Sequence, residues 1–229
     1  MNIEFFAREL PDHYYDWGTP KARLKDDRFE REIHGVWNMT VSNAAQVLNC
    51  ACRHLEAGEV YLEAGVLHGA SMRVALLHNP DMHGIGIDDW SEFPSNGGNL
   101  SHAEKNLKQY IEQGRVELRG IDIKIYLLCK HDPRVRIGVY YYDANHDYFE
   151  TLCGLELSIL LLANNAVIVL DDTSWTGPRR AIDEFLSRNA KFGFSMLLDL
   201  EGKRDGNSMW GRGLSVIQYK RNEEGWKTA

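Results

Sequence analysis

The chain has 229 residues, which suits one α/β domain with a modest N-terminal extension. Hydrophobic residues at 44% and charged residues at 26% are ordinary globular values, and they exclude a disordered chain, a collagen-like repeat and a disulfide scaffold. The formal net charge of -7 disfavours nucleic acid and anionic membranes as partners, so a small-molecule substrate is expected.

The cysteines and the N-terminal segment indicate a reduced, soluble protein. No C-x-x-C pair is present, and Cys129 and Cys153 lie in apolar stretches where buried free thiols are common. Residues 1–15 carry charges throughout and lack the apolar core of a signal peptide, and the apolar run Leu155–Leu162 is too short to span a bilayer. We therefore predict a cytoplasmic protein, compatible with a homo-oligomer, whose cysteines are reduced and structural: Cys50, Cys52, Cys129 and Cys153.

Residues 1–58 precede the first predicted strand, and we expect them to form an N-terminal helical cap. Within this segment Ser42–Glu56 has a helical pattern, whereas the aromatic segment His13–Trp17 fits no strand. Residues 59–229 are expected to form the main domain.

From about Val60 the chain alternates short apolar runs with longer amphipathic stretches, a pattern typical of βα units and a mainly parallel sheet. The apolar runs predict the strands Val60–Ala64, Gly84–Ile87, Val116–Leu118, Ile137–Tyr142, Ala166–Leu170, Gly193–Leu200 and Leu214–Tyr219. The stretches between them predict the helices Ser71–His78, Ser101–Gln113, Phe149–Ala163 and Gly177–Asn189.

The last two strands are joined only by Glu201–Gly213, a polar and glycine-rich link that reads as a hairpin. We therefore predict a Rossmann-like, doubly wound α/β sheet of seven strands, mostly parallel with one antiparallel strand near the C-terminus. Asn164 and Asn165, just before the fifth strand, are compatible with a tight turn because Asn tolerates a positive φ.

The first strand is followed by two glycines and then a helix, in the order Glu63-x-Gly65-x-x-x-Gly69-x-Ser71. In a doubly wound sheet the first such turn must let a ligand approach the backbone, and glycine permits that approach. The spacing differs from the dinucleotide motif G-x-G-x-x-G. The carboxylate of Glu63 would repel a pyrophosphate, so a cationic ligand is expected rather than a dinucleotide. The alternative is a tight βα turn that binds no ligand.

The segment LEAGVLHGAS resembles the first motif of class I S-adenosylmethionine-dependent methyltransferases. The closest likeness is to the small-molecule O-methyltransferases, which include catechol-type and macrocin-type sugar enzymes. The resemblance covers residues 58 to 220 and implies S-adenosylmethionine as the cofactor. It implies that the methionine end of that cofactor is bound by Glu63, Gly65, Leu67, Gly69 and Ser71.

Acids also follow the second and third strands. Asp88 ends the second strand, where an acid accepts the ribose hydroxyls in nucleotide-binding sheets. The third strand ends in Arg-Gly120-Ile-Asp122, which resembles the family segment beside the adenine, so Gly120 and Asp122 are implied adenine neighbours. Trp90, two residues after Asp88, either stacks on a ring of the ligand or packs in the core.

The fourth and fifth predicted strands end in Asp143 and in the pair Asp171-Asp172. Because the carboxyl ends of adjacent parallel strands share one edge, we expect these three carboxylates to converge. Such like charges repel unless they are neutralised, and an oxygen-rich site suits Mg²⁺, Ca²⁺ or Mn²⁺. We predict a divalent metal site, with Mg²⁺ preferred; the alternative is that strand-end acids cap helices.

The resemblance extends to this cluster. Asp143 and Asp171 match two metal-binding aspartates of the catechol-type enzymes, and Asp172 stands where those enzymes carry asparagine, so the acid-rich macrocin-type enzymes match better. His146 occupies the place of the catechol-type lysine and matches a histidine of the sugar-modifying relatives. We predict His146 as the general base, aided by Asp143. The alternative is that residues 145–147 cap the next helix.

Together these features predict a metal-assisted O-methyltransferase acting on a small hydroxylated metabolite such as a sugar or phenol. Two other hypotheses stay open: a binding module that holds S-adenosylmethionine without turnover, and a metal-dependent enzyme on the same fold that is not a methyltransferase. Aromatic residues at six positions either line an acceptor pocket or pack in the core: Tyr14, Tyr15, Trp17, Trp90, Trp175 and Trp210.

Overall fold

The computed structural model describes residues 1–93, 98–132 and 134–227. The first part of the chain is mainly helical and includes one small ribbon. Its elements are α1 (Ile3–Glu9), β1 (Tyr14–Tyr15), β2 (Arg23–Leu24), α2 (Arg28–Ile33) and α3 (Ser42–Arg53). The expectation that His13–Trp17 belongs to no strand is wrong, because Tyr14 and Tyr15 pair with the antiparallel strand β2.

The rest of the chain forms a seven-stranded sheet flanked by helices. Its strands are β3 (Val60–Ala64), β4 (Gly84–Asp88), β5 (Val116–Gly120), β6 (Ile137–Tyr142), β7 (Leu162–Leu170), β8 (Phe194–Leu200) and β9 (Leu214–Lys220). Its helices are α4 (Ala70–Leu76), α5 (Asn99–Glu112), α6 (Ile123–Ile125), α7 (Tyr148–Ser158), α8 (Thr176–Asn189) and α9 (Glu223–Lys227), and a π-helical turn, Tyr126–Lys130, extends α6.

The strand order across the sheet is β5-β4-β3-β6-β7-β9-β8. Strands β3 to β7 pair in parallel, and β9 runs antiparallel to both β7 and β8. The predicted doubly wound sheet is therefore confirmed. The antiparallel strand lies second from the edge, because β9 inserts between β7 and the earlier strand β8.

The junction between α7 and β7 differs from the prediction. The helix ends at Ser158, a single 3₁₀ turn follows, and the strand already begins at Leu162 rather than at Ala166. Asn165 pairs with Lys220 of β9 and belongs to the strand, so no tight Asn turn forms here. Leu162 pairs with Ile137 of β6, so pairing within the sheet outweighs the helical pattern that the local sequence shows.

Helices cover both faces of the sheet, so the central strands are apolar on both sides. Every residue of β6 is buried, and its side chains alternate between two hydrophobic clusters. Val139 and Tyr141 face the cluster that contains α3, whereas Tyr140 and Tyr142 face the cluster that contains α7 and α8. The alternation places Tyr141 on the same face as Asp143, which follows the strand.

The N-terminal elements pack on this sheet. Phe6, Leu10 and Tyr14 are buried in the same cluster as Val139 and Val167 of the central strands. The predicted boundary at residue 58 stays a prediction, since this shared core joins the segments on its two sides.

The cysteines divide differently from the expectation. Cys50 and Cys52 are buried in α3, whereas Cys129 and Cys153 are exposed, so the apolar stretches around the latter two do not bury their thiols. All four are free thiols, as predicted. Within the described ranges no helix has the length and apolar character needed to cross a membrane.

Candidate active site

A cavity of about 590 Å³ opens at the carboxyl edge of the parallel strands. The segment that follows each of the strands β3, β4, β5, β6 and β7 contributes to its wall. The N-terminal segment 37–41 and the link between β8 and β9 complete the lining. The structure brings most of the predicted site residues together on this wall: Gly65, Leu67, Ser71, Asp88, Asp122, Asp143, His146, Asp171 and Asp172.

Three predicted cofactor residues lie outside the cavity lining. Glu63 is fully buried within the sheet, Gly69 caps the start of α4, and Gly120 ends β5 beside the ring of Trp90. Glu63 and Gly69 are buried, whereas Gly120 is exposed, and contact of these three residues with the cofactor stays a prediction.

Glycine at position 65 is required by the chain's own backbone. Its φ is 89°, and an added Cβ would lie 2.0 Å from the carbonyl oxygen of Asp143. At Gly69 the φ is 82°, and a Cβ would lie 2.7 Å from Cδ1 of Leu107. The two glycines thus permit close packing of β3 and α4 against neighbouring elements, and their role in admitting a ligand stays a prediction.

Glu63 forms a buried hydrogen-bonded group beneath the turn. Its carboxylate accepts a hydrogen bond from the Tyr61 hydroxyl at 2.7 Å and another from Ser71 Oγ. Burial raises the pKa of Glu63 to about 8; the two hydrogen bonds oppose this rise, and repulsion from Asp143 and Asp88 adds to it. Glu63 therefore supports Ser71, which does line the cavity.

Asp88 fixes the glycine turn. One carboxylate oxygen accepts a hydrogen bond from the Leu67 amide at 2.8 Å, and the other accepts from the Trp90 amide at 2.7 Å. The Trp90 indole in turn donates to the Leu67 carbonyl at 2.9 Å. Burial raises the pKa of Asp88, although these backbone bonds oppose the rise. Carboxylate lone pairs remain for ribose hydroxyls, because each oxygen accepts more than one bond.

Asp122 is both a helix cap and a cavity residue. Its side chain accepts hydrogen bonds from the amides of Lys124 at 2.8 Å and Ile125 at 3.2 Å, and so caps α6. The cap was not predicted from the sequence, and contact of Asp122 with an adenine ring stays a prediction.

Tyr141 connects two of the predicted acids. Its hydroxyl lies 3.0 Å from Oδ2 of Asp143 and 2.9 Å from Oδ2 of Asp171. Burial raises the pKa of Asp171 to about 8, and the charges of Asp143 and Asp172 add to the rise. A hydroxyl has one proton to donate, so a protonated Asp171 would supply the second hydrogen bond of this bridge.

His146 lies between the other two acids. Its Nε2 is 3.3 Å from Oδ2 of Asp172 and 3.6 Å from Oδ1 of Asp143, but within the described ranges this buried nitrogen makes no hydrogen bond. Burial lowers the pKa of His146, and the carboxylates of Asp143, Asp172 and Asp171 outweigh that effect and raise it. Asp147, the next residue, caps α7 through the Phe149 amide, so the cap and the cavity-facing imidazole are separate residues.

The side chains at the predicted metal site have the right ligand chemistry, but their ligand atoms are not spaced to share one ion. Carboxylate oxygens of Asp143, Asp171 and Asp172 are suitable ligands for Mg²⁺. Among the described side chains, however, the set whose ligand atoms all lie within 4.8 Å of one another is Glu9, Cys50 and His54, which does not include them. The three acids are held instead by Tyr141, by backbone and by His146, so a shared ion requires at least one carboxylate to rotate.

Two residues of the cavity region were not predicted from the sequence. Tyr141 precedes Asp143 by two positions. Because side chains alternate along a strand, the sequence could have indicated that both lie on the same face of the sheet. Arg212 lines the cavity from the link between β8 and β9, where its position between two glycines gave no comparable signal. Of the aromatic candidates, Trp90 and Trp175 line the cavity, whereas Tyr14, Trp17 and Trp210 form a cluster of contacting rings.

The strand order and the strand-end cavity define a Rossmann-like methyltransferase fold. Residues 62–173 match the family model described as a methyltransferase domain. The predicted resemblance to class I S-adenosylmethionine-dependent methyltransferases is therefore confirmed, and the matched segment runs from β3 to the acids after β7.

Solved structures share this fold at low sequence identity. The S-adenosylhomocysteine-bound methyltransferase PaMTH1 of Podospora anserina is 15% identical with a TM-score of 0.60, over 85% of this chain and 86% of that one. Cofactor-bound Rv0187 from MTB is 16% identical with a TM-score of 0.58, over 85% and 89% of the two chains. CalS11, the TDP-rhamnose 3'-O-methyltransferase of calicheamicin biosynthesis, is 18% identical with a TM-score of 0.58, over 76% of each chain. A search of curated protein sequences gave no match.

Proposed function

We propose that this protein transfers the methyl group of S-adenosylmethionine to a hydroxyl of a small metabolite, such as a sugar or a phenol. The observation that carries the proposal is the imidazole of His146: its buried Nε2 has no hydrogen bond to any residue that the structure describes, and the residue lines the same cavity as the cofactor motif. Oxygen methylation requires a proton acceptor next to the place where the methyl donor binds, and an imidazole nitrogen that neighbouring carboxylates make more basic suits that role.

The charge of the cavity supports a cationic cofactor. Its described lining includes eight carboxylates: Asp88, Asp89, Glu92, Asp122, Asp143, Glu150, Asp171 and Asp172. S-adenosylmethionine carries a sulfonium and an ammonium group, and a cleft of opposite charge attracts such a ligand. Asp88 is proposed to accept the ribose hydroxyls, and Asp122 to lie beside the adenine.

Methyl transfer from a sulfonium is an in-line displacement, so the chain must align the acceptor oxygen, the methyl carbon and the sulfur. The oxygen forms a bond to the methyl carbon, the carbon–sulfur bond breaks, and its electron pair stays on sulfur to give S-adenosylhomocysteine. Nε2 of His146 takes the hydroxyl proton. Asp143 and Asp172 stabilise the imidazolium that results, because both carboxylates lie within 3.6 Å of Nε2.

We also propose a divalent cation, Mg²⁺ first, at Asp143, Asp171 and Asp172. The donor chemistry supports it, since mutual repulsion of buried carboxylates is relieved when a cation is present. A bound ion would orient the acceptor and lower the pKa of its hydroxyl. The proton would still pass to His146.

The first experiment separates cofactor binding from transfer. Calorimetry with S-adenosylmethionine is expected to show binding, and a mass-spectrometric screen of hydroxylated sugars and phenols is expected to show the gain of one CH₂ group. His146→Ala should slow transfer by about 10²-fold or more while cofactor affinity stays nearly the same. An unchanged rate in this variant removes His146 from the mechanism, and absence of cofactor binding rejects the function.

The second experiment addresses the cation. Exhaustive chelation followed by return of Mg²⁺ should abolish and then restore transfer, and Asp171→Asn should weaken Mg²⁺ binding measured by calorimetry. Asp199→Asn is a suitable control, because Asp199 pairs with Arg179 outside the cavity lining. Activity that survives complete chelation contradicts the metal proposal and leaves the methyltransferase proposal intact.

A further inference from the structure

Arg212 differs in charge from the acidic side chains of the cavity. Among the described lining residues it is the only arginine or lysine, beside eight carboxylates. Its side chain is partly exposed, and its guanidinium lies 5.2 Å from the ring centre of Trp175. A cationic side chain on a wall of acidic side chains attracts a negatively charged group to its own position.

The hydrogen bonds of Arg212 are incomplete. Its Nη1 is 3.7 Å from Oδ2 of Asp172, which is an ion-pair distance but too long for a hydrogen bond. Its Nε is buried and has no hydrogen-bond partner in the part of the chain that the structure describes. Because a buried donor without an acceptor costs free energy, an acceptor oxygen supplied by a ligand would stabilise this arrangement.

The position of Arg212 assigns it to the acceptor side of the cavity. The Trp175 ring packs edge-on against the His146 ring, with 5.1 Å between centres, so Arg212 and His146 flank the same indole. The proposed cofactor residues Leu67 and Asp88 come instead from the turn after β3 and the end of β4. A ring packed on Trp175 would thus have Arg212 on one side and the base on another.

We infer that the methyl acceptor carries an oxyanion, a carboxylate or a phosphate, which Arg212 binds while a hydroxyl of the same molecule lies at His146. This inference rests on the proposed function for the role of His146. The planar guanidinium suits both oxyanions, since it donates parallel hydrogen bonds to either. The eight acids of the described lining repel the oxyanion from their own positions, so the charge pattern also favours one orientation of the acceptor.

The test measures binding of matched probes in the presence of S-adenosylhomocysteine. The pairs are catechol with 3,4-dihydroxybenzoate, glucose with glucuronate, and glucose with glucose 1-phosphate. We expect the charged member of at least one pair to bind roughly tenfold or more tightly, as for hydrogen bonds to a charged group. The pair that shows the preference tells carboxylate from phosphate.

Arg212→Gln should abolish this preference, and Arg212→Lys should keep part of it, because lysine retains the charge but not the planar geometry. Arg179→Gln is the matched control, since Arg179 pairs with Asp199 outside the lining and its loss should not change the preference. Thermal unfolding and S-adenosylhomocysteine affinity show whether each variant is folded. If Arg212→Gln is not folded, the partial loss of the preference expected for Arg212→Lys becomes the deciding result.

Equal binding of the members of every pair, or a preference that survives Arg212→Gln, overturns the inference. If S-adenosylhomocysteine binds and the pairs are bound equally, this inference fails alone. If the cofactor product does not bind but Arg212 still selects the charged probes, the proposed function fails and the oxyanion site stands.

Discussion

Individual residues at the strand ends meet two demands at once, packing and chemistry. Gly65 leaves room for the backbone of Asp143, and Asp172 takes a φ of 55°, which is unusual for a residue other than glycine. Such strain persists only where the surrounding structure enforces it, and it often marks functional positions. At Asp172 it accompanies a carboxylate directed at both His146 and Arg212.

Glu63 gives a prediction at this scale. Its pKa rises from 4.5 to about 8 on folding, so between these values the folded chain holds a proton that the unfolded chain releases. The contribution of Glu63 is therefore most favourable below about pH 4.5 and is lost as pH rises towards 8. Glu63→Gln, which cannot ionise, should gain stability relative to the native chain across this range.

Urea unfolding of both proteins at several pH values between about 4.5 and 8 measures the effect. Groups common to the two proteins cancel in the difference, so the slope of that difference reports Glu63. Parallel curves over the whole range would contradict the assignment of a raised pKa.

At the scale of elements, α7 positions the proposed base. His146 lies two residues before Tyr148, where the helix begins, and the Asp147 side chain between them accepts a hydrogen bond from the Phe149 amide at 2.9 Å. The Asp147 cap thus fixes the backbone next to His146, and with it the position of the imidazole.

Asp147→Ala should lower the free energy of unfolding by about 1 kcal/mol, because it removes this helix cap. Asp183→Ala on the exposed face of α8 is the control, with an expected change within about 0.5 kcal/mol. Chemical denaturation gives both values. A loss no larger than that of the control would show that the cap contributes nothing measurable.

At the scale of the whole molecule, the N-terminal elements and the sheet share one hydrophobic cluster. Phe6 is 0% exposed within it, whereas the adjacent Phe5 is 48% exposed. If the two parts of the chain fold as a unit, damage to α1 must destabilise the sheet as well.

Phe6→Ala should therefore lower the stability of a single, cooperative unfolding transition by about 3 to 5 kcal/mol. Phe5→Ala is the matched control and should cost much less, because its ring is half exposed. Fluorescence and circular dichroism followed through the same denaturation would test cooperativity. Two separated transitions, with only the first affected by Phe6→Ala, would instead favour an independently folding cap.

The sequence by itself determined the features that depend on local periodicity and chain order. Alternation of apolar runs and amphipathic stretches was sufficient to predict the doubly wound sheet, and the position of Asp88, Asp143 and Asp171 after parallel strands was sufficient to place them at one edge. These predictions succeeded because strand direction fixes which end of a strand faces the cavity.

Only the tertiary structure decided how those side chains meet. It enclosed Glu63 beneath the turn, bridged two acids with Tyr141, brought Arg212 beside Trp175 and inserted β9 between β7 and β8. The physical reason is that distances between side chains on separate elements depend on packing and rotamers, which local sequence patterns do not encode. For the same reason the acids could be placed at one edge from the sequence, but the spacing between them could not.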